Sequence, residues 1–255
     1  MEKCPQCWDG LRIALFSAFC LLFTSSITLA QTSQPMVLFG VEGGINFVAY
    51  QSAYFTPPTA DPNEFSTLGS GSGLDQFVGI SSEISLSSAN QNFMLFEAIF
   101  DSKSGNFGTA NSGNATSVFD AKLSASLTYL VFDLGFKHNF ISGPIPSGLG
   151  VQLCASFGML LTSKFNESMT TLTTTNSGVA QSGTKASIVP INGIRSYRIA
   201  LRPELCDDIP FASKWILTPS VGYDAPLTQV DNTNRNWTAR SVYAALALRY
   251  VIGSF

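Results

Sequence analysis

Charge is scarce in this chain. Lys and Arg number 14 and Asp and Glu 17 among 255 residues, and the four make up 12% of the chain, about half the share in an ordinary soluble domain. At a net charge of -3 there is no basic surface to neutralise a phosphate backbone, which argues against nucleic-acid binding. Histidine occurs once, at His138, so a Ser-His-Asp triad or a histidine-based metal site lacks material. Beyond Ala30 no apolar run approaches the ~20 residues of a spanning helix, so any membrane crossing must use strands. What the chain has instead is 20 Phe, 7 Tyr and 21 Gly, a composition that excludes a disordered polymer.

The first thirty residues read as a secretory signal peptide. A short polar stretch carries Lys3 and Arg12, the apolar run Ile13 to Phe23 follows, and small residues lead to Ala30. Removal of residues 1–30 takes away Cys4, Cys7 and Cys20 and leaves Cys154 and Cys206. Residues 31–255 then form one domain.

That domain alternates with a period of two. Val37, Phe39, Val41, Ile45 and Phe47 share one face of a first strand, and Gly40, Glu42, Gly44 and Asn46 the other. The same pattern recurs at 76–86, 93–101, 121–140, 150–165, 197–206, 215–224 and 242–252, which makes eight strands. The first half of 121–140 does not keep register cleanly, and a bulge near Leu127 would exchange its faces. Connections after the second, fourth and sixth strands are short. Those after the first, third and fifth are long and rich in Gly, Ser, Thr and Asn; Gly69 to Gly73 reads as flexible loop. This rhythm predicts an all-β, eight-stranded, antiparallel, up-and-down transmembrane barrel of the outer membrane, with both termini at the short-turn, periplasmic rim. A soluble lipocalin-like barrel alternates too, with the apolar face inward.

The polar face separates the two. Glu42, Glu83, Glu97, Asp133, Lys137, Arg198, Arg202, Glu204 and Arg249 lie mid-strand. Acids and bases in near-equal number suit a lumen in which they pair, whereas a soluble surface would carry many Lys. Trp215, Trp237, Tyr50 and Tyr54 fall near strand ends, as interfacial girdles do.

Three segments resemble the PorT-like outer membrane β-barrel family of Bacteroidetes and their relatives: Val41-Glu42-Gly43-Gly44-Ile45-Asn46-Phe47, Leu201-Arg202-Pro203-Glu204-Leu205 and Leu248-Arg249-Tyr250. The resemblance implies an eight-stranded barrel whose members range from secretion-linked components to proteins of unknown role. Phe255 resembles the final aromatic by which the barrel-assembly machinery recognises its clients.

Cys154 and Cys206 fall on the polar face of neighbouring strands. A hairpin centred near residue 180 sets them opposite each other, which predicts a disulfide in an oxidising compartment. Asn114, Asn166 and Asn236 begin glycosylation-type triplets that read as coincidence in Asn/Thr-rich stretches. No phosphate loop, dinucleotide fingerprint or metal cluster appears, so neither cofactor nor catalysis is expected, and carboxylates such as Glu42, Glu83 and Glu97 read as structural ion-pair members. The expected partners are the lipid bilayer, the assembly machinery and an envelope protein. The expected role is structural or interactive, a small pore or transporter or a soluble ligand-binding barrel being the alternatives.

Overall fold

The computed structural model describes residues 36–51, 70–87, 89–114, 117–174, 180–189, 194–230 and 237–252. The expected signal segment, Tyr54, Asn236 and Phe255 lie outside them. Nine strands follow one another: β1 (Val37–Gln51), β2 (Gly71–Ser85), β3 (Asn92–Asn114), β4 (Ser117–Asn139), β5 (Gly148–Thr174), β6 (Ala180–Val189), β7 (Tyr197–Ala212), β8 (Trp215–Pro226) and β9 (Thr238–Ile252). Each pairs antiparallel with its neighbours, and β1 pairs with both β2 and β9, which closes the ring. The far end of β5 pairs with β6 and its near end with β7, so β6 and β7 share one position in the wall. The barrel therefore has eight staves.

The closure is staggered. From Val41 the pairings run through Ile80, Ala98, Phe132 and Phe157 to Ile199. The other way they run through Leu248 and Leu217 to Ile209. The two ends differ by ten residues on β7 (209 minus 199), a shear that goes with strands tilted by roughly 35–45°.

Alternation decides which way each side chain points, and the apolar set points out. Phe39, Val41, Ile45, Phe47, Val78, Ile80, Phe96, Phe100, Phe132, Leu134, Phe157, Val221, Val242 and Leu246 are all exposed. The polar set points into the lumen. A soluble barrel with this wall would be inside out. On β3 the outward series changes from Phe96 and Phe100 to Ser102, Ser104 and Asn106, and on β4 from Leu134, Phe132 and Leu130 to Thr128, Ser126 and Ser124. An apolar belt therefore ends part-way along these strands, which continue beyond it.

Two expectations about boundaries are corrected. Residues 102–120 and 166–189 are largely strand, not loop: β3 and β4 each run 23 residues and β5 runs 27. Ser, Thr and Asn disguised this, because ladder hydrogen bonds use the backbone and need no apolar side chain. Gly71 and Gly73 likewise belong to β2, packed against Phe107 and Ser104 on β3, where a side chain would not fit. The bulge exists but lies in β5: Thr128 faces Thr162 and Tyr129 faces Leu160, so Leu161 is the extra residue. β4 keeps one parity from Ser124 to Asn139. Its pattern looked slipped because Ala125, Leu127, Tyr129 and Val131 face a lumen that is itself apolar at that height.

Candidate functional site in the barrel lumen

The lumen is filled in layers. At the short-turn end Leu38, Phe93, Ile216 and Val251 form a small apolar cluster. Next comes a quartet of two acids and two bases. Lys137 Nζ donates to both carboxylate oxygens of Glu83 at 3.2 Å and to Asp208 Oδ1 at 2.8 Å. Arg249 Nε lies 3.1 Å from Glu83 Oε1. Asn139 Nδ2 and the Thr218 hydroxyl each donate to Asp208 at 2.8 Å. Buried charges cost several kcal/mol each unless paired and hydrogen-bonded; Lys137, Glu83 and Asp208 meet both conditions, while Arg249 is ion-paired without a hydrogen bond at Nε or Nη1.

The middle layer differs. Arg202 pairs with Asp133 and lies over the Tyr243 ring, 4.5 Å from its centroid. The ring packs over Gly222, at whose position a Cβ would collide with it, and its hydroxyl donates to Glu204 Oε2 at 2.8 Å. Glu42 and Glu97 make no ion pair with any described residue, and each keeps a buried oxygen without a hydrogen-bond partner. Above this, Lys103 Nζ lies 3.0 Å from Asp101 and 3.1 Å from Asp224 and donates to Ser241 Oγ at 2.9 Å. Arg198 pairs with Asp224, and Asn46 Nδ2 donates to Asp101. The column is capped by Val48, Tyr50, Phe107, Leu127, Tyr129 and Trp237, with the Tyr50 hydroxyl donating to the Lys103 carbonyl at 2.7 Å.

All nine charged residues singled out from the sequence belong to these layers, though not as one network. Glu83, Lys137 and Arg249 are in the lower quartet, Glu42, Glu97, Asp133, Arg202 and Glu204 in the middle, and Arg198 in the upper one. Sequence reading passed over Lys103, Asp208 and Asp224 as partners. Lys103 and Asp208 fell just past the strand ends drawn from apolar alternation, yet each continues the lumen parity of Asp101 and Cys206.

The expected disulfide is absent: Cys154 and Cys206 are free and buried. Cys154 faces Arg202 across the ladder, and Cys206 faces Gly150. The β5–β7 ladder is centred on residue 178 and the β5–β6 hairpin on residue 177, so a centre taken near 180 moves the partner of Cys154 by four residues, from Arg202 to Cys206. Tyr50 and Trp237 are lumen residues, not girdle. Trp215 does face outward at the short-turn rim, its ring edge-on to Tyr250 at 5.0 Å. His138 sits at the same end, with Nδ1 2.8 Å from Asn92 Oδ1. Among the described residues no three Asp, Glu, His or Cys side chains converge as a metal cage.

No protein-family model matches the chain, and no curated protein resembles it in sequence. The PorT-like resemblance thus gains no support beyond the eight-stranded barrel it implied. Among solved structures the chain is similar to the attachment invasion locus protein Ail of Yersinia pestis in complex with sucrose octasulfate, at 8% identity over 85% of this chain and 99% of that one, with a TM-score of 0.34. Neisserial surface protein A aligns at 12% identity over 83% and 96% of the two chains, with a TM-score of 0.30. The outer membrane protease OmpT of Escherichia coli aligns at 7% identity over 88% and 100%, with a TM-score of 0.35. At such identities and scores these likenesses carry no argument about activity.

Proposed function

We propose that the chain is an integral outer-membrane β-barrel that does not conduct, and that it acts through the strands extending past its apolar belt, as an envelope protein for adhesion, integrity or docking. The observation that carries this reading is the filled lumen: apolar clusters at both ends and three charged layers between them. In a ring of eight strands the interior is just wide enough for side chains to fill. The exposed apolar belt favours a bilayer over water as the surrounding medium. Both termini then lie on the periplasmic side, because the first and last described strand ends, Val37 and Ile252, pair at the rim that carries the short turns.

Beyond the belt, 13 residues of β3 (Ser102–Asn114) pair with β4, which in turn pairs with the far end of β5 and, through it, with β6. At ~3.3 Å per residue this adds about 40 Å along the strand direction. Such a blade gives a partner something to hold while the lumen stays shut. Planar-bilayer recording of the refolded protein tests the reading: the expected trace is flat, and stable unitary steps would instead support a pore. Heating before denaturing electrophoresis should shift the band, as loss of a closed barrel does, and full release from membranes by carbonate would overturn membrane integration.

A further inference from the structure

We propose that the outer wall of the barrel holds one anionic, phosphate-bearing lipid of the outer leaflet, its acyl chain laid in a groove across β1 to β5 and its headgroup against Lys164 and Arg195. The inference rests on the membrane reading above. The groove, of about 530 Å³, lies in the apolar belt. Two adjacent outward rows of the wall form it. In one, Ser82 stands between Phe39 and Phe96, and in the next Ala98 stands between Ile80 and Phe132. Small side chains set among large ones leave a trough, which Ala155 and Phe157 continue onto β5. A chain lying in a trough meets wall on several sides, and dispersion attraction grows with the number of atoms met.

The groove also has a direction. Ladder rows climb away from the short turns as they pass from β1 to β5: the row through Val41 reaches β7 at Ile199, near the outer end of that strand at Tyr197. From β1 to β5 there are four strand spacings of ~4.8 Å, about 19 Å in all, against a hydrocarbon thickness of ~30 Å. That is the reach of one acyl chain entering from one leaflet.

The upper end carries positive charge. The Phe157 ring stacks on Tyr197, with centroids 6.4 Å apart and planes 15° from parallel. The Arg195 guanidinium lies 5.2 Å from the centre of the Tyr197 ring and donates to its hydroxyl at 2.8 Å, which ties a cation to the end of the groove. On β5 the exposed Lys164 faces Ser126, one outward position past Thr128 and Thr162, where the wall has turned from apolar to polar. Thr162, Lys164, Asn166, Arg195 and Tyr197 at this corner carry two positive charges and no negative one. Ammonium and guanidinium groups at the membrane surface attract anionic headgroups, and both bind phosphate. A phosphate at the edge of the belt and a chain below it are the two parts of one lipid molecule. A two-fold dimer through the same groove would instead set Lys164 and Arg195 of both copies at one height, like charge against like.

The test refolds the whole mature barrel into detergent micelles and weighs the intact complex by native mass spectrometry after adding dipalmitoyl phosphatidic acid, dipalmitoyl phosphatidylcholine or inorganic phosphate. The expected result is one retained phosphatidic acid per chain, preferred about tenfold over phosphatidylcholine, which has the same chains but a choline on its phosphate. Inorganic phosphate, which lacks the chain, should not be retained. Ala98→Phe fills the trough with an outward ring and should abolish retention, and Ser82→Leu fills it from the neighbouring row should Ala98→Phe not fold. Lys164→Gln combined with Arg195→Gln should keep the lipid and erase the preference. Overturning results are equal retention of both lipids that the filling variants leave unchanged, which is ordinary annular lipid; phosphate retained on its own; or a dimer mass without lipid. Loss of the heat shift together with release by carbonate would overturn the membrane reading itself, and the lipid site with it.

Discussion

The lower and middle layers of the lumen are both built from acids and bases, and share β4, β7 and β9, yet one is balanced and the other is not. In the lower quartet every carboxylate meets a cation, and Asp208 also accepts from Asn139 and Thr218. In the middle layer Glu97 stands opposite Asp133 and Glu42 has no cation of its own. The difference lies in register. On β3 and β4 the lumen positions bring Glu97 against Asp133, but bring Phe93 against Lys137. A pairing one step different along the ladder would bring another set together. The lower layer is therefore a structural clamp, and the middle one a place where the fold tolerates like charges.

Five substitutions and one change of medium break or sharpen that contrast. Lys137→Met leaves Glu83 and Asp208 facing only Arg249, and should lower stability by about 3–5 kcal/mol, read as a fall in the urea midpoint. Glu42→Gln in the middle layer, with no ion pair to lose, should cost less than about 1 kcal/mol in the same titration; equal losses for the two would erase the distinction between the layers. Leu134→Arg places a charge on the apolar belt of β4 and should cost about 2–4 kcal/mol in lipid vesicles, while Ser126→Arg, four turns of the pleat away beyond the belt, should cost about 0–1. Tyr243→Phe removes the hydroxyl bond to Glu204 and keeps the ring against Arg202, for a loss of about 0.5–1.5 kcal/mol. The smallest effect belongs to the thiols. Adding a reductant should leave the midpoint unmoved, since Cys154 and Cys206 are not joined.

Most of the wall was legible from the chain alone. Wherever one face is apolar and the other is Gly, Ser or charge, as in Val37 to Phe47, parity follows from the side chains. It failed where the two faces stopped differing. Leu127, Tyr129 and Val131 are apolar on the lumen side, so contrast across β4 vanished and the strand seemed to slip. The outer parts of β3 and β5 contain few apolar residues, and composition alone reads them as loop. Nine of the lumen charges were visible from parity, while Lys103, Asp208 and Asp224 were passed over. Which charge meets which was not visible, because that depends on the shear, on Leu161 as an extra residue and on the break between β6 and β7. Cys154 and Cys206 were misplaced by the centre of the β5–β7 ladder, which lies at residue 178 and not at 180.

The seam between β1 and β9 carries a consequence for how the molecule is made. Val37 pairs with Ile252 and Gln51 with Thr238, so the ring is completed by residues roughly two hundred positions apart, among the most non-local contacts a chain of this size can form. Until that seam zips, β1 presents a full row of unpaired amides and carbonyls. In hydrocarbon each such group costs several kcal/mol, so a half-built wall has no stable place in a membrane. Strand-by-strand insertion is thereby ruled out as an unaided route. Entry and closure have to happen together, with the first strand kept paired or shielded until the last one arrives.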